Sequence, residues 1–293
     1  MTYPVTVGVD GSSAGLAAAD WGAREAQLRD LPLRLVHAWE WQPYSHAPPE
    51  GPEYARRWSE GVPREIRARL HRRYPDLGIT AERLIGPPPK VLCEAAKEAE
   101  LLVVGTVGIG GLAGFLLGSV ALATAAHTQR PLVLVRAPTA EEDEHPAAVS
   151  ARPVVLGLDL GRPCDEVLRF AFDAAALRAA PLLVVRGGKP PAFYGAPGVG
   201  VDPSGETHIA ADETETMRMV LQPWREKYPA VDVTEQAVIG HPAHHLLDVG
   251  TDADLVVIGR RTRSPRAVPP RIGPIAHAVL HHCPAPVAVV PHD

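Results

Sequence analysis

The chain has 293 residues, enough for two domains at roughly 150 residues each, and its 46% hydrophobic and 22% charged content excludes fibrous and wholly disordered readings. A formal net charge of −5, from 29 Lys+Arg against 34 Asp+Glu, gives no overall basic field for nucleic acid or an acidic membrane, although a local patch survives such a count. Three widely spaced cysteines, Cys93, Cys164 and Cys283, support neither a disulfide framework nor a thiolate zinc site and fit a reducing cytoplasm.

From Met1 the chain runs through Pro4 straight into an apolar stretch, without the basic and hydrophobic regions of a signal peptide, so a cytoplasmic location is expected. That stretch predicts a strand over 5–9 that closes on Gly8-Val9-Asp10. Ser12 or Ser13 then caps a helix with Leu16, Ala19, Ala23 and Ala26 on one face. Further strands are expected at 33–38, 81–85, 101–104 and 132–136 with helices between them, the pattern of βαβ units around a parallel sheet. An acidic stretch, Glu141, Glu142, Asp143 and Glu144, marks a solvated linker over 139–152. Beyond it the chain repeats itself. Val154 to Asp159 echoes Val5 to Asp10, Gly240 to Gly259 aligns without a gap on Gly86 to Gly105, and Pro286 to Val290 echoes Pro131 to Val135. In the second copy Pro163 reads as a first-turn residue of a helix that carries Val167, Phe170, Ala174 and Leu177. The fold class is therefore α/β: two tandem doubly wound parallel-sheet domains, residues 1–138 and 153–293. Such sheets bind ligands beyond the carboxyl ends of their strands, where the strand order reverses. In the first copy that edge carries Asp10 and the segment after Val104.

From Leu101 to Gln129 there is no Asp, Glu, Lys or Arg. Hydropathy alone marks Val107 to Ala126 as a membrane span, with Gly110, Gly114 and Gly118 at helix-dimer spacing. The repeat opposes that reading, because the matching segment carries Arg260, Arg261, Arg263, Arg266 and Arg271. Gly108-Ile-Gly110-Gly-Leu-Ala113 also matches a dinucleotide turn, but it follows the fourth strand and lacks the acidic residue that such a turn requires about 20 positions on. A third reading takes Gly105-x2-Gly108-x9-Gly118-Ser119 as a strand end, a glycine loop and the start of a helix over 119–127. Glycines let backbone amides approach phosphate oxygens, and a helix start adds unused donors and a positive dipole end. A ligand-free glycine loop is the plain alternative.

This spacing, preceded by a strand ending in Asp10, resembles the nucleotide-binding signature of the universal stress protein family, and the tandem layout resembles its two-domain members. The resemblance implies halves related by an internal pseudo-twofold, with the final strands, 132–136 and 286–290, meeting within one chain and homodimerisation left open. Residue by residue it implies an ATP site of Gly8, Val9, Asp10, Ala38, Val104, Gly105, Gly108, Gly118, Ser119 and Val120. Val9, Ala38 and Val104 would line the adenine slot, and Asp10 would stand near base and ribose, its plain structural role being a helix-capping turn. Without a basic residue in the loop, a triphosphate would lean on backbone donors, the Ser119 hydroxyl and Mg2+ or Mn2+ held by phosphate and water.

The second half departs from this pattern. Thr262 replaces the second glycine, the loop is one residue longer, Gly273 is followed by Pro274, and Asp159 is followed by Leu160-Gly161. One ATP, in the first half, is expected. Histidines 241, 244 and 245, and 277, 281 and 282, have helical metal-ligand spacings without a carboxylate-rich context, and surface histidines are the plainer reading. No P-loop, nucleophile elbow or Ser/His/Asp set is evident. The implied role is an ATP-binding, nucleotide-dependent stress-response regulator. The rivals are a slow ATPase or nucleotidyl-transferring enzyme on the same sheet, and a nucleotide-free interaction scaffold.

Overall fold

Val5, Val7, Leu33, Leu35 and Leu101 to Val103 are fully buried, as strands must be when helices cover both faces of a parallel sheet. The computed structural model describes residues 2–40, 52–106, 117–137, 152–188, 203–239, 241–262 and 272–293, which fold as two units.

In the first unit the elements are β1 (Val5–Gly8), α1 (Ser13–Leu28), β2 (Leu33–Trp39), α2 (Pro52–Arg73), β3 (Ile79–Ile85), α3 (Pro88–Ala96), β4 (Leu101–Thr106), α4 (Ser119–His127) and β5 (Leu132–Arg136). The strands lie parallel in the order β3-β2-β1-β4-β5. The third strand begins at Ile79, two residues before the expected 81, and the fourth runs two residues past Val104. Val9 lies beyond the β1 ladder, yet its amide still donates to the Val36 carbonyl at 2.9 Å. On α1 the buried face is built from Ala14, Ala18, Ala19, Ala23 and Ala26, while Leu16 is only half-buried. Small residues matter there because the helix lies close on the sheet: a Cβ on Gly22 would stand 2.5 Å from Val7 Cγ2. On α2 the residues turned inward are Val62, Ile66 and Leu70, one per helical turn.

The second unit repeats the plan with β6 (Val154–Gly157), α5 (Asp165–Leu177), β7 (Leu182–Gly188), α6 (Pro203–Lys227), β8 (Val233–Ile239), α7 (Pro242–Gly250), β9 (Leu255–Arg261), α8 (Pro274–His282) and β10 (Val287–His292). Its strands are parallel in the order β10-β9-β6-β7-β8. Pro163 corrects the sequence reading: the helix starts at Asp165 behind the N-cap Cys164, so the proline sits just outside the first turn. Val167, Phe170 and Ala174 are buried as expected, whereas Leu177, at the helix end, is half-buried.

The same tie fastens the long helix in each unit. Tyr74, just past α2, donates its hydroxyl to Asp20 Oδ1 on α1 at 3.1 Å, and Tyr228, just past α6, donates to Asp173 Oδ1 on α5 at 2.6 Å. Burial and the neighbouring carboxylate push the Tyr228 phenol up to about 12. Among the described residues no helix is long and apolar enough to cross a membrane; residues 107–116 of the apolar stretch lie outside them.

Candidate functional site

In the first unit the chain lays down β1, β2 and β3 in one direction and then crosses to place β4 on the other side of β1. The reversal puts the crevice of a doubly wound sheet at the carboxyl ends of β1 and β4. Register aligns Gly8 with Val36 on one side and Val104 on the other. Ala38 lies two residues past Val36, level with Asp10. Six expected residues, Gly8, Val9, Asp10, Ala38, Val104 and Gly105, therefore share one sheet edge. Val9 and Val104 are buried, at 4% and 7% exposure.

Asp10 is exposed and held by its own turn. Its Oδ1 accepts from the Ser12 amide at 3.0 Å and from the Ser12 hydroxyl at 2.6 Å, and Ser12 Oγ in turn accepts from the Gly15 amide at 3.0 Å. Ser12, the N-cap of α1, thus satisfies one of the unused amides at the helix start. Gly11 makes the turn with φ of +81°, and Gly15 leaves room for the carboxylate, since a Cβ there would meet Asp10 Oδ1 at 2.5 Å. Asp10 thus holds the turn before α1 through one of its two carboxylate oxygens, while the cap itself is Ser12.

Two motif glycines have packing reasons of their own. A Cβ on Gly8 would stand 2.8 Å from Leu92 Cδ2 of α3, and one on Gly105 would run into the Ala14 carbonyl of α1, with the Gly15 amide 2.8 Å away. The backbone of α1 crosses β4 over Gly105. Sequence reasoning missed Leu92, and it missed His37, whose buried Nδ1 lies 2.7 Å from the Val9 carbonyl. A carbonyl only accepts, so Nδ1 carries the proton and ties β2 to the end of β1.

The helix expected over 119–127 is α4. It joins two parallel strands, so its N-terminus faces the same carboxyl edge as Asp10 and Val104. Gly118 is its N-cap in extended conformation, φ −61° and ψ 150°, with no side-chain hydrogen bond to the cap. Among the described residues nothing lies within 4 Å of where a Gly118 Cβ would be. Ser119 is exposed and Val120 half-buried, its carbonyl accepting from Thr124 Oγ1 at 2.7 Å. Gly108 lies outside the described residues.

The second unit is built differently at the matching edge. Asp159 Oδ1 accepts from the Gly161 amide at 3.1 Å, and α5 starts six residues after Asp159, where α1 starts three after Asp10. Gly259, the counterpart of Gly105, lies under a side chain instead of a helix backbone: a Cβ there would meet His292 Nε2 at 2.9 Å and Val167 Cγ2 at 3.2 Å. Arg260, 4% exposed, takes the position of Thr106. Gly273 caps α8 in extended conformation and is as open as Gly118, but the next residue is Pro274, which has no amide hydrogen. Beside this edge the Cys164 thiol donates to Glu166 Oε2 at 2.8 Å. Burial and that bond push the thiol up, and accepting the bond holds the Glu166 carboxyl low. Among the described residues no three His, Cys, Asp or Glu side chains converge as a metal site. His277 and His281 stack on α8 with ring centroids 4.2 Å apart.

Comparison with known proteins agrees with this architecture. The sequence model of the Universal stress protein family matches residues 1–136 and 150–291. A universal stress protein of Mycobacterium tuberculosis is 31% identical over 296 aligned residues, covering 98% of this chain and 96% of the relative. Among solved structures, a universal stress protein from Archaeoglobus fulgidus superposes with a TM-score of 0.71 at 14% identity, covering 99% of this chain and 98% of its own. A universal stress protein solved in complex with cAMP matches 47% of this chain and all of its own length at 30% identity and a TM-score of 0.35, too partial a likeness to carry a ligand across.

Proposed function

The chain belongs to the universal stress protein family, and from that premise we propose that its first half binds ATP at the carboxyl edge of β1 and β4 and that the protein acts as a nucleotide-dependent stress-response regulator. One observation carries the reading. The missing side chains of Gly8 and Gly105 are explained by Leu92 and α1, whereas nothing in the described protein occupies the space beside Gly118. A glycine that packing among the described residues does not require, at a helix start without a side-chain cap, suits close approach by a phosphate.

The residues present fit such a ligand. Val9, Ala38 and Val104 offer apolar surface and backbone groups to an adenine. Asp10 keeps Oδ2 for the ribose while Oδ1 holds the turn. Ser119 adds an exposed hydroxyl to the amides of α4. The segment 101–129 has no cationic side chain, so Mg2+ or Mn2+ would supply the countercharge, held by phosphate oxygens and water. The glycine loop carries no lysine, arginine or carboxylate, and the reading is of binding without rapid turnover.

Heating the purified protein and identifying the released nucleotide, followed by calorimetric titration with ATP in the presence and absence of Mg2+, tests the reading. Release of an adenine nucleotide, or saturable binding of about one ATP per chain, supports it. No release and no binding at millimolar ATP would leave the nucleotide-free scaffold. Turnover above about 1 per second would favour the enzyme.

A further inference from the structure

The ladder between β1 and β2 stops one step short, and a side chain supplies the missing bond. On one side of β2 the Pro32 and Val36 carbonyls accept from the Val5 and Val9 amides, both at 2.9 Å. On the other side the Leu33 amide donates to the Gly78 carbonyl at 2.9 Å, and the Trp39 carbonyl accepts from the Gly86 amide at 3.0 Å. Even-numbered residues of β2 therefore turn their backbone groups toward β1, and odd-numbered residues turn theirs toward β3. Continued by one step, the series would bring the Ala38 amide to the Val9 carbonyl. The pairing instead ends at Gly8 with Val36, and the Val9 carbonyl accepts from His37 Nδ1 at 2.7 Å.

Ala38 is left with both backbone groups unused. Among the described residues neither its amide nor its carbonyl has a partner. The residue is half-buried at the crevice edge, where an unpaired main-chain donor and acceptor suit a ligand that satisfies both. The N–H and C=O of one extended residue point the same way. Together they match a ring nitrogen beside an amino group, as on adenine, and they oppose the N1–H and O6 of hypoxanthine or guanine.

Resting on the nucleotide reading above, we propose that His37 is a positioning residue that makes the first-half site selective for adenine. Its ring, 4% exposed, acts through Val9. By satisfying the Val9 carbonyl, the Nδ1 proton keeps that acceptor from drawing the Ala38 amide into the ladder. The Ala38 N–H then donates to a ring nitrogen of the base, and its carbonyl accepts from the amino group. Without the imidazole the buried Val9 carbonyl takes the Ala38 amide, because an unpaired buried acceptor is costly. The site keeps its apolar walls and loses the donor half of its base contact.

Calorimetric titration of the full chain with ATP and with ITP, which carries hypoxanthine in place of adenine, tests this together with hydrogen exchange at the Ala38 amide. In the free wild type that amide should exchange faster than those of Val36 and Trp39 and should slow when ATP is added. ATP should bind about tenfold or more tightly than ITP. His37→Phe should slow the exchange without ligand and weaken ATP by about three- to tenfold while leaving ITP nearly unchanged. His37→Asn, whose side-chain amide donates from nearly the place of Nδ1, should behave as the wild type. His37→Leu serves if the phenylalanine variant does not fold. Equal binding of ATP and ITP, an Ala38 amide already protected in the free protein, or an ATP-to-ITP ratio that survives loss of the imidazole would overturn the role of His37 and leave the nucleotide reading standing. Binding of neither nucleotide would overturn both.

Discussion

Tyr228 donates its hydroxyl to Asp173 at 2.6 Å, and this bond closes an aromatic cluster in which the Tyr228 ring lies 5.4 Å from Phe172 and 6.3 Å from Trp224. With the phenol pushed up to about 12, the native state holds the neutral form where an unfolded chain, titrating near its ordinary value of 10.0, has lost the proton. The sign follows: the contribution is complete below pH 10 and disappears as pH rises from about 10 to about 12. Tyr228→Phe should lower stability by about 1 kcal/mol at neutral pH, and the gap from the wild type should close across that alkaline window. Thermal melts of both proteins on a pH series check it.

Gly105 and Gly118 should respond oppositely to substitution. Gly105→Ala forces a Cβ into the Ala14 carbonyl, and α1 must move, at a cost of about 1–3 kcal/mol. Gly118→Val finds open space among the described residues and an extended backbone, so the cost should be that of a poorer N-cap residue, about 0.5–1 kcal/mol. ATP affinity should nevertheless fall by about one to two decades, because the phosphate loses its close approach to the backbone. Chemical denaturation paired with calorimetry separates the two effects.

The turn at the end of β1 can be dissected in the same way. Ser12→Ala removes the N-cap acceptor for the Gly15 amide and should cost about 1 kcal/mol. Asp10→Asn keeps an oxygen acceptor for Ser12 and should leave the melting point nearly unchanged while weakening nucleotide binding. Equal losses of stability in the two variants would show that the Asp10 charge itself holds the turn.

The halves should be unequal in binding. Calorimetry should return about one ATP per chain, lost on substitution of Asp10 and unaffected by Asp159→Ala. A stoichiometry near two, or binding that depends on Asp159, would overturn the assignment of the site to the first half.

Much of this was legible in the sequence because the signals are local. Alternating apolar runs and turn residues gave the strand series, and Gly118 followed by an uninterrupted helical stretch gave α4 to the residue. The edge residues from Gly8 to Gly105 follow from the resemblance to the family's signature, and the register of β1 with β2 and β4 brings them to one edge. The purpose of Gly105 was not legible, because it depends on which helix crosses which strand, a relation between residues 14 and 105 that no local pattern contains. Leu92 under Gly8 and His37 beside Val9 escaped for the same reason. Pro163 reads about two residues too far inward because proline suits both the first turn and the residues before a cap, and only the course of the loop after Asp159 decides between them.

That loop gives the molecule an internal reference. The two halves share strand order, tyrosine tie and an open glycine before the fourth helix, yet differ where α1 lies over Gly105 and His292 lies over Gly259. Any ligand, pH or salt effect that perturbs both edges alike reports on the scaffold, and one that perturbs only the first reports on binding. Isotope-labelled glycines at 105 and 259 would therefore let a single sample carry its own control.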